Sequence, residues 1–223
     1  MIRSITKSKT FEEIKGLLEG IDRVFIVGCG TCATMCHTGG QSEVQEMKRR
    51  LVEELNKVVT GIMIVPVACD GLSQEALEEH GEAIEGSQAL LIMTCAFGVQ
   101  TLGMYTDLPV IPALDTMFIG KEKGVGVFDE VCTQCGECIL AYTAGICPVT
   151  ACHKGLVNGP CGGTNKGKCE VDPEKDCAWT IIYQRLAQQG RLDLMKRYQP
   201  PKNYQSEPKP GKAIISPEGK EKR

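Results

Sequence analysis

Between Cys132 and Cys177 the chain places eight cysteines in 46 residues: Cys132, Cys135, Cys138, Cys147, Cys152, Cys161, Cys169 and Cys177. The first three form a CxxCxxC run, and Cys147 is followed by Pro148. Two-residue spacers let successive thiolates reach neighbouring corners of an iron–sulfur cube, and proline stiffens the backbone behind the last ligand. A two-cluster ferredoxin run has three residues between its third cysteine and the Cys-Pro pair, whereas this chain has eight. The fourth ligand therefore comes from a longer loop and belongs either to the same cluster or to a second one. A structural zinc knot is the alternative, although zinc usually takes two CxxC-type pairs and only the first half of the stretch has that spacing.

The rest of the composition suits a reduced metalloprotein. The chain has 223 residues, 13 of them cysteine, 42% apolar residues and a formal net charge of −3. That length holds one large or two small domains. The slight acidic balance argues against a nucleic-acid binder, which normally carries a basic surplus. Thirteen cysteines would also suit a secreted disulfide scaffold. The start, Met1-Ile-Arg-Ser-Ile-Thr-Lys, has neither the apolar core nor the cleavage site of a signal peptide. No apolar run approaches bilayer length. The expectation is a cytoplasmic protein with metal-bound thiolates and no membrane or nucleic-acid partner.

Upstream of the cysteine-rich stretch, strands and helices alternate. Thr10 and Glu13 form a capping box ahead of the stripe Phe11, Ile14, Leu17 and Leu18. Arg23–Gly28 reads as a buried strand that breaks on glycine. Ser42 is expected to cap a helix with Val44, Met47, Leu51, Leu55 and Val58 on one face. Further strands are read at 61–68, 89–94 and 108–114, with a short helix from Ser73 to His80 and another through Val99 and Leu102. Near-continuous apolar strands separated by helices predict an α/β domain, residues 1–119, built on a parallel sheet.

Ligands of such sheets bind beyond the carboxyl ends of the strands. Cys29, Cys69 and Cys95 each follow a strand directly, and Cys32 and Cys36 lie on the loop and first helical turn after the first strand. Five thiols on one edge point to a metal cluster, with four needed for a cube and one spare. Buried thiols or a redox disulfide are the bland alternatives. Gly28-Cys-Gly30-Thr-Cys-Ala33 also fits a dinucleotide fingerprint, with Asp70 as a ribose ligand, but thiols take two of its variable places and a third thiol follows. The order CxxCxxxC is the reverse of the radical adenosylmethionine motif. His37, His80 and His153 are scattered, and no acid–base pair suggests that the chain is itself catalytic.

Residues 120–126 read as a glycine- and lysine-rich hinge leading to a cysteine-rich module, 127–198. There Gly159-Pro-Cys161-Gly-Gly163 and Gly167-Lys-Cys169 free backbone amides to face sulfur. Asp176 is expected to cap a closing helix with Trp179, Ile182, Tyr183 and Leu186 on its apolar face. From Gln199 to Arg223 the chain holds five prolines and six Lys or Arg, which predicts an extended tail.

These pieces together resemble the methylenetetrahydrofolate reductase C-terminal family. The matching segments are Cys29-Gly-Thr-Cys32-Ala-Thr-Met-Cys36, Cys132-Thr-Gln-Cys135-Gly-Glu-Cys138, Gly145-Ile-Cys147-Pro148, Gly159-Pro-Cys161-Gly-Gly163, Gly167-Lys-Cys169 and Cys177-Ala-Trp179. From about residue 22 to 195 the chain is similar to the small cysteine-rich subunit of the acetogen-type enzyme. The resemblance implies a MetF-like flavoprotein as catalytic partner, with FMN in that partner, and reduction of methylenetetrahydrofolate to methyltetrahydrofolate in one-carbon metabolism. It implies that this chain carries electrons through two to three [4Fe-4S] clusters, with zinc as an option at one site. The donor would be ferredoxin or a larger redox complex. Twelve cysteines serving three clusters would leave one of the thirteen free.

Overall fold

A computed structural model describes residues 3–204, 210–211, 214–215 and 221–222. The chain divides into two compact units, Met1–Asp129 and Glu130–Arg223.

The first unit is built on four parallel strands: β2 (Arg23–Cys29), β3 (Val58–Val65), β4 (Ala89–Met93) and β5 (Val110–Pro112), in the order β3-β2-β4-β5. β2 and β4 are central, and every β4 residue is buried, as expected for strands covered on both faces. Alternate side chains along them feed two cores. Phe25, Val27, Leu90 and Ile92 pack with Leu77, Ile84 and Leu102 from α4 (Leu72–Glu79), α5 (Gly81–Glu85) and α6 (Ala96–Gly103). Val24, Ile26, Leu91 and Met93 pack on the other side with Ile14, Leu18, Val44 and Leu51. Ile14 lies in α1 (Phe11–Leu17), Leu18 caps that helix, and Val44 and Leu51 belong to α3 (Gln41–Leu55). Each fully buried Leu, Ile or Phe contributes roughly 1.5–3 kcal/mol. The α/β reading of this region, with its parallel sheet, is the architecture found.

Local differences have clear causes. The Thr10–Glu13 capping box forms as read. α3 starts one residue before Ser42. Its N-terminal cap is Gly40, whose N–H donates to the Glu43 carboxylate at 2.9 Å, and Ser42 Oγ pairs with Glu43 instead. Val58 opens β3 rather than extending the helix, because Asn56 turns left-handed at φ 51° and ends α3. The segment read as one strand over 108–114 is two: β5, then β6 (Leu114–Gly124).

β6 belongs to a second, three-stranded sheet with β1 (Ser4–Ser8) and β7 (Val127–Glu130), in the order β1-β6-β7. β1 runs antiparallel to β6, with Ser4 opposite Ile119 and Ser8 opposite Leu114. The stretch read as a hinge, 120–126, runs along β6 to Gly124 and turns into β7.

The second unit has little regular structure. α7 (Pro148–Ala151) and α8 (Ala178–Gln188) are joined by loops, and Cys177, not Asp176, occupies the N-terminal cap of α8. Its core is small: Trp179, Ile182 and Leu186, flanked by Ile146, Cys152, Cys177 and Leu194. A hairpin turn at Asn165–Lys168 has both central residues, Lys166 and Gly167, at positive φ, which is the type I′ requirement that glycine meets most easily. The tail read as extended begins at Gln199, where Asn158 bonds both the N–H and the carbonyl of that residue. Most of the tail lies outside the described residues; within it β8 (Ile214–Ile215) pairs antiparallel with β9 (Glu221–Lys222).

Candidate metal centres

In the first unit, β2 has neighbours β3 on one side and β4 on the other, so successive crossovers leave it in opposite directions. This is the switch point at which α/β sheets open a crevice beyond their carboxyl ends. A cavity of about 650 Å³ lies there, lined by Cys29, Cys32, Cys69 and Cys95. Ser4, Thr31, Thr94, Gln100 and Thr101 are the polar members of its wall, and no charged side chain lines it.

Each thiol is placed by a different device. Cys29 is the last residue of β2, held by its N–H on Gly39 O at 2.9 Å, and its Sγ lies 3.2 Å from Thr31 Oγ1. Cys32 opens the single turn α2 (Cys32–Met35). Cys69 follows β3 on a loop closed by Asp70, whose carboxylate accepts the Leu72 N–H at 3.0 Å and whose role is thus local turn formation. Buried Ser73 donates to Ala68 O beside it. Cys95 precedes α6 in extended backbone, and Thr116 Oγ1 accepts the next N–H, from Ala96. The fifth thiol, Cys36, does not line the cavity. Its sulfur faces Ser4 O at 3.8 Å.

The thiols feel one another. Burial pushes the Cys32 thiol up, Cys95 and Cys29 add to the rise, and the Ser4 N–H opposes it. Cys69 is raised by partial desolvation and then by Cys95, Cys29 and Cys32. Such a set binds metal only by losing protons, so occupancy is proton-linked.

The fingerprint glycines have other work. A Cβ on Gly28 would come within 2.5 Å of Gly39 O and of Ile64, and one on Gly30 within 3.3 Å of Pro66 O. Both glycines are thus accounted for by close packing within the chain.

In the second unit, Cys152, Cys161, Cys169 and Cys177 line one small hollow with Trp179, beside the Lys154–Glu170 ion pair. Backbone bonds set this ring: Cys169 N–H to Lys175 O at 2.9 Å and Cys177 N–H to Gly167 O at 2.7 Å. Partial burial would push Cys177 up, but the Thr180 hydroxyl and N–H, the Thr164 hydroxyl and the Trp179 N–H outweigh it and leave this thiol lowered. Gly163 N–H points at Cys161 Sγ at 3.5 Å, which the glycine reading anticipated. Cys132, Cys135 and Cys138 lie on the preceding loop, where Gln134 N–H donates to Cys132 Sγ at 3.3 Å. Cys147 caps α7, and Thr150 Oγ1 contacts both Val131 O at 3.2 Å and Cys147 O at 3.5 Å. One hydroxyl thereby ties the CxxCxxC loop to the Cys-Pro. Among the described residues, no group of three or more His, Cys, Asp or Glu closes on a single metal-ion position.

Sequence reasoning missed Ser4. β1 carries it to the cavity from far along the chain, and the polar segment Ser4–Ser8 gave no strand signal beyond the weak alternation around Ile5.

The class of molecule so defined is an α/β domain with a thiol-lined switch point, followed by a small unit organised around cysteines. The sequence model of the family described as "Methylene-tetrahydrofolate reductase C terminal" matches residues 111–205, and so relates the chain to methylenetetrahydrofolate reductases through that segment. Comparisons with curated proteins and with solved structures returned no match. Among the described residues no helix is long and apolar enough to cross a membrane.

Proposed function

We propose that the chain is an electron-transfer subunit of the MetV type in a methylenetetrahydrofolate reductase complex. It passes electrons to the flavin of a MetF-like catalytic partner. The observation that carries this reading is the uncharged cavity on which Cys29, Cys32, Cys69 and Cys95 converge from three strands. Four soft donors without a carboxylate or imidazole suit an iron–sulfur cluster. When bound, a [4Fe-4S] cluster supplies one-electron transfer at a potential that its surroundings tune.

The residues around the thiols have definite tasks. Phe97 and Gly98 line the cavity, and Gly98 is needed because a Cβ there would come within 2.5 Å of Thr94 Oγ1. In the second unit the thiols divide into Cys132, Cys135, Cys138 and Cys147, tied through Thr150, and Cys152, Cys161, Cys169 and Cys177 around the Trp179 hollow. Their amide–sulfur contacts stabilise thiolate charge. The match over 111–205 supports the folate-linked partner. The partner's flavin would collect single electrons and release them as a pair.

A zinc-stabilised scaffold that anchors the flavoprotein is the second reading. What favours it is the small hollow at Cys152–Cys177, about 20 Å³, which suits a single ion better than a cube. Anaerobic purification followed by iron, sulfide and zinc analysis decides. Brown protein that bleaches with dithionite supports the electron carrier. Zinc without iron or sulfide overturns it. With iron established, the flavoprotein complex carrying Cys69→Ser should lose reduction by ferredoxin yet keep turnover with a dye that reduces the flavin directly.

A further inference from the structure

Ser4 is 1% exposed, lines the thiol cavity, and its Oγ has no hydrogen-bond partner among the described residues. Its neighbour on the same face of β1, Thr6, differs: that hydroxyl lies 2.7 Å from Thr38 Oγ1. Buried hydroxyls are nearly always paired, so an orphan at the wall of a cavity marks an absent partner in that cavity. The rest of Ser4 is committed to the same corner. Its carbonyl oxygen accepts from the Cys36 thiol at 3.8 Å.

We propose that the Ser4 hydroxyl donates a hydrogen bond to a sulfur of the cluster held by Cys29, Cys32, Cys69 and Cys95, and so holds its reduction potential up. This rests on the electron-carrier reading above. Hydrogen bonds to cluster sulfurs are one of the terms that set potential. A donor favours the more negative, reduced form, because the added electron raises charge on the sulfurs. Ser4 is a positioning residue: it touches sulfur and supplies no iron ligand. β1 explains why the donor is there. Antiparallel pairing of Ser4 with Ile119 on β6 fixes the strand over the rim, and Thr6–Thr38 locks it to the loop behind α2.

The test is an EPR-monitored redox titration of the full chain in its anaerobically purified form. The N-terminal signal is identified as the one missing from Cys69→Ser. Ser4→Ala should keep the parent iron content and shift that signal to lower potential. The expected shift is about tenfold in the reduced-to-oxidised ratio at fixed poise, or ~59 mV for one electron. Ser4→Thr, which retains the hydroxyl, should stay near the parent. Iron–sulfur stretching bands in resonance Raman should move in deuterated buffer for the parent and move less for Ser4→Ala. An unchanged potential in Ser4→Ala overturns the proposal, and so does equal behaviour of the two variants. Loss of iron from Ser4→Ala also overturns it, by making Ser4 part of the cluster's assembly. A parent chain with no more iron than Cys69→Ser removes the electron-carrier reading of this site itself, a result separable from all of these.

Discussion

The indole N–H of Trp179 donates to the carbonyl oxygen of Leu156 at 2.8 Å. The bond crosses the second unit from the first turn of α8 to the loop that follows Cys152. Trp179 also lines the hollow where four cysteines gather. One side chain therefore serves the core, the loop and the thiol ring together.

Trp179→Phe should keep most of the packing and leave the Leu156 carbonyl unpaired. The expected loss is about 0.5–1.5 kcal/mol, the net contribution of one part-buried hydrogen bond. Urea unfolding of the metal-loaded protein, followed by the circular dichroism of α8, measures it. Unchanged stability would mean that water reaches Leu156 and replaces the bond.

Removing metal should affect the two units unequally. The first unit has two extensive cores on either side of β2 and β4, whereas the buried apolar cluster of the second is small: Trp179, Ile182 and Leu186. On the proposed reading, a small unit with so little core would depend on bound metal for folding energy. Chelation under air, then limited proteolysis, should digest residues 130–204 first and leave a resistant fragment near residues 3–129. Equal resistance of both halves would sink the idea that metal stabilises the second unit.

This division was partly legible in the sequence. The apolar runs Val24–Val27 and Ala89–Met93 announce central strands, and a cysteine directly after each strand places the thiols at the sheet's edge. β1 was not legible. Its residues Ser4–Ser8 are mostly polar, and the strand exists because β6, over a hundred residues away, offers it an edge. Glycines and lysines at 120–124 likewise hid the end of β6, since this central strand of a small sheet is largely exposed and tolerates polar residues that a buried one does not. The choice of four thiols from five was also hidden. Cys32 and Cys36 sit at the two ends of a single helical turn, and in the fold Cys36 faces the Ser4 carbonyl of β1 while Cys32 lines the cavity.

Gly39→Ala should be strongly destabilising for a reason unrelated to metal. A Cβ on Gly39 would run into the Met93 carbonyl oxygen at the end of β4. Backbone cannot yield there as a flexible side chain would. Gly39 O also receives the Cys29 N–H, so displacing it shifts Cys29. Overpacking of this kind costs about 1–3 kcal/mol. Thermal unfolding of the metal-free variant tests the clash alone, and iron content tests its consequence at Cys29. A variant with parent stability and parent iron would show that the loop at 36–40 moves without cost.

Thr150→Val should loosen the tie between Val131 and Cys147 while preserving shape. The hydroxyl contacts both carbonyls, at 3.2 Å to Val131 O and 3.5 Å to Cys147 O. Its loss should cost about 0.5–1.5 kcal/mol. Metal at Cys132–Cys147 should also leave faster on challenge with a chelator, while the site at Cys152–Cys177 keeps its rate. The check is a biphasic release curve in which only one phase changes.

Cys36→Ser should leave the metal content of the first unit intact, in contrast to serine at Cys29, Cys32, Cys69 or Cys95. Those four line one cavity, and the shifts of Cys32 and Cys69 arise in part from the other thiols of that set. Cys36 contributes to neither shift and lies against Ser4 O, an acceptor to which its thiol can donate. Serine keeps a small polar group in that place, so folding should not suffer. Each of the four cavity variants removes one soft donor and leaves three, which should cost one cluster of iron per chain. Iron and acid-labile sulfide are measured on all five single variants, purified without air. Thiol counting with an alkylating reagent under native anaerobic conditions adds a second reading, because Cys36 should be the one N-terminal cysteine free to react in the loaded parent. If Cys36→Ser loses as much iron as Cys69→Ser, the assignment is wrong and the loop carrying Cys36 must swing toward the cavity when metal is bound.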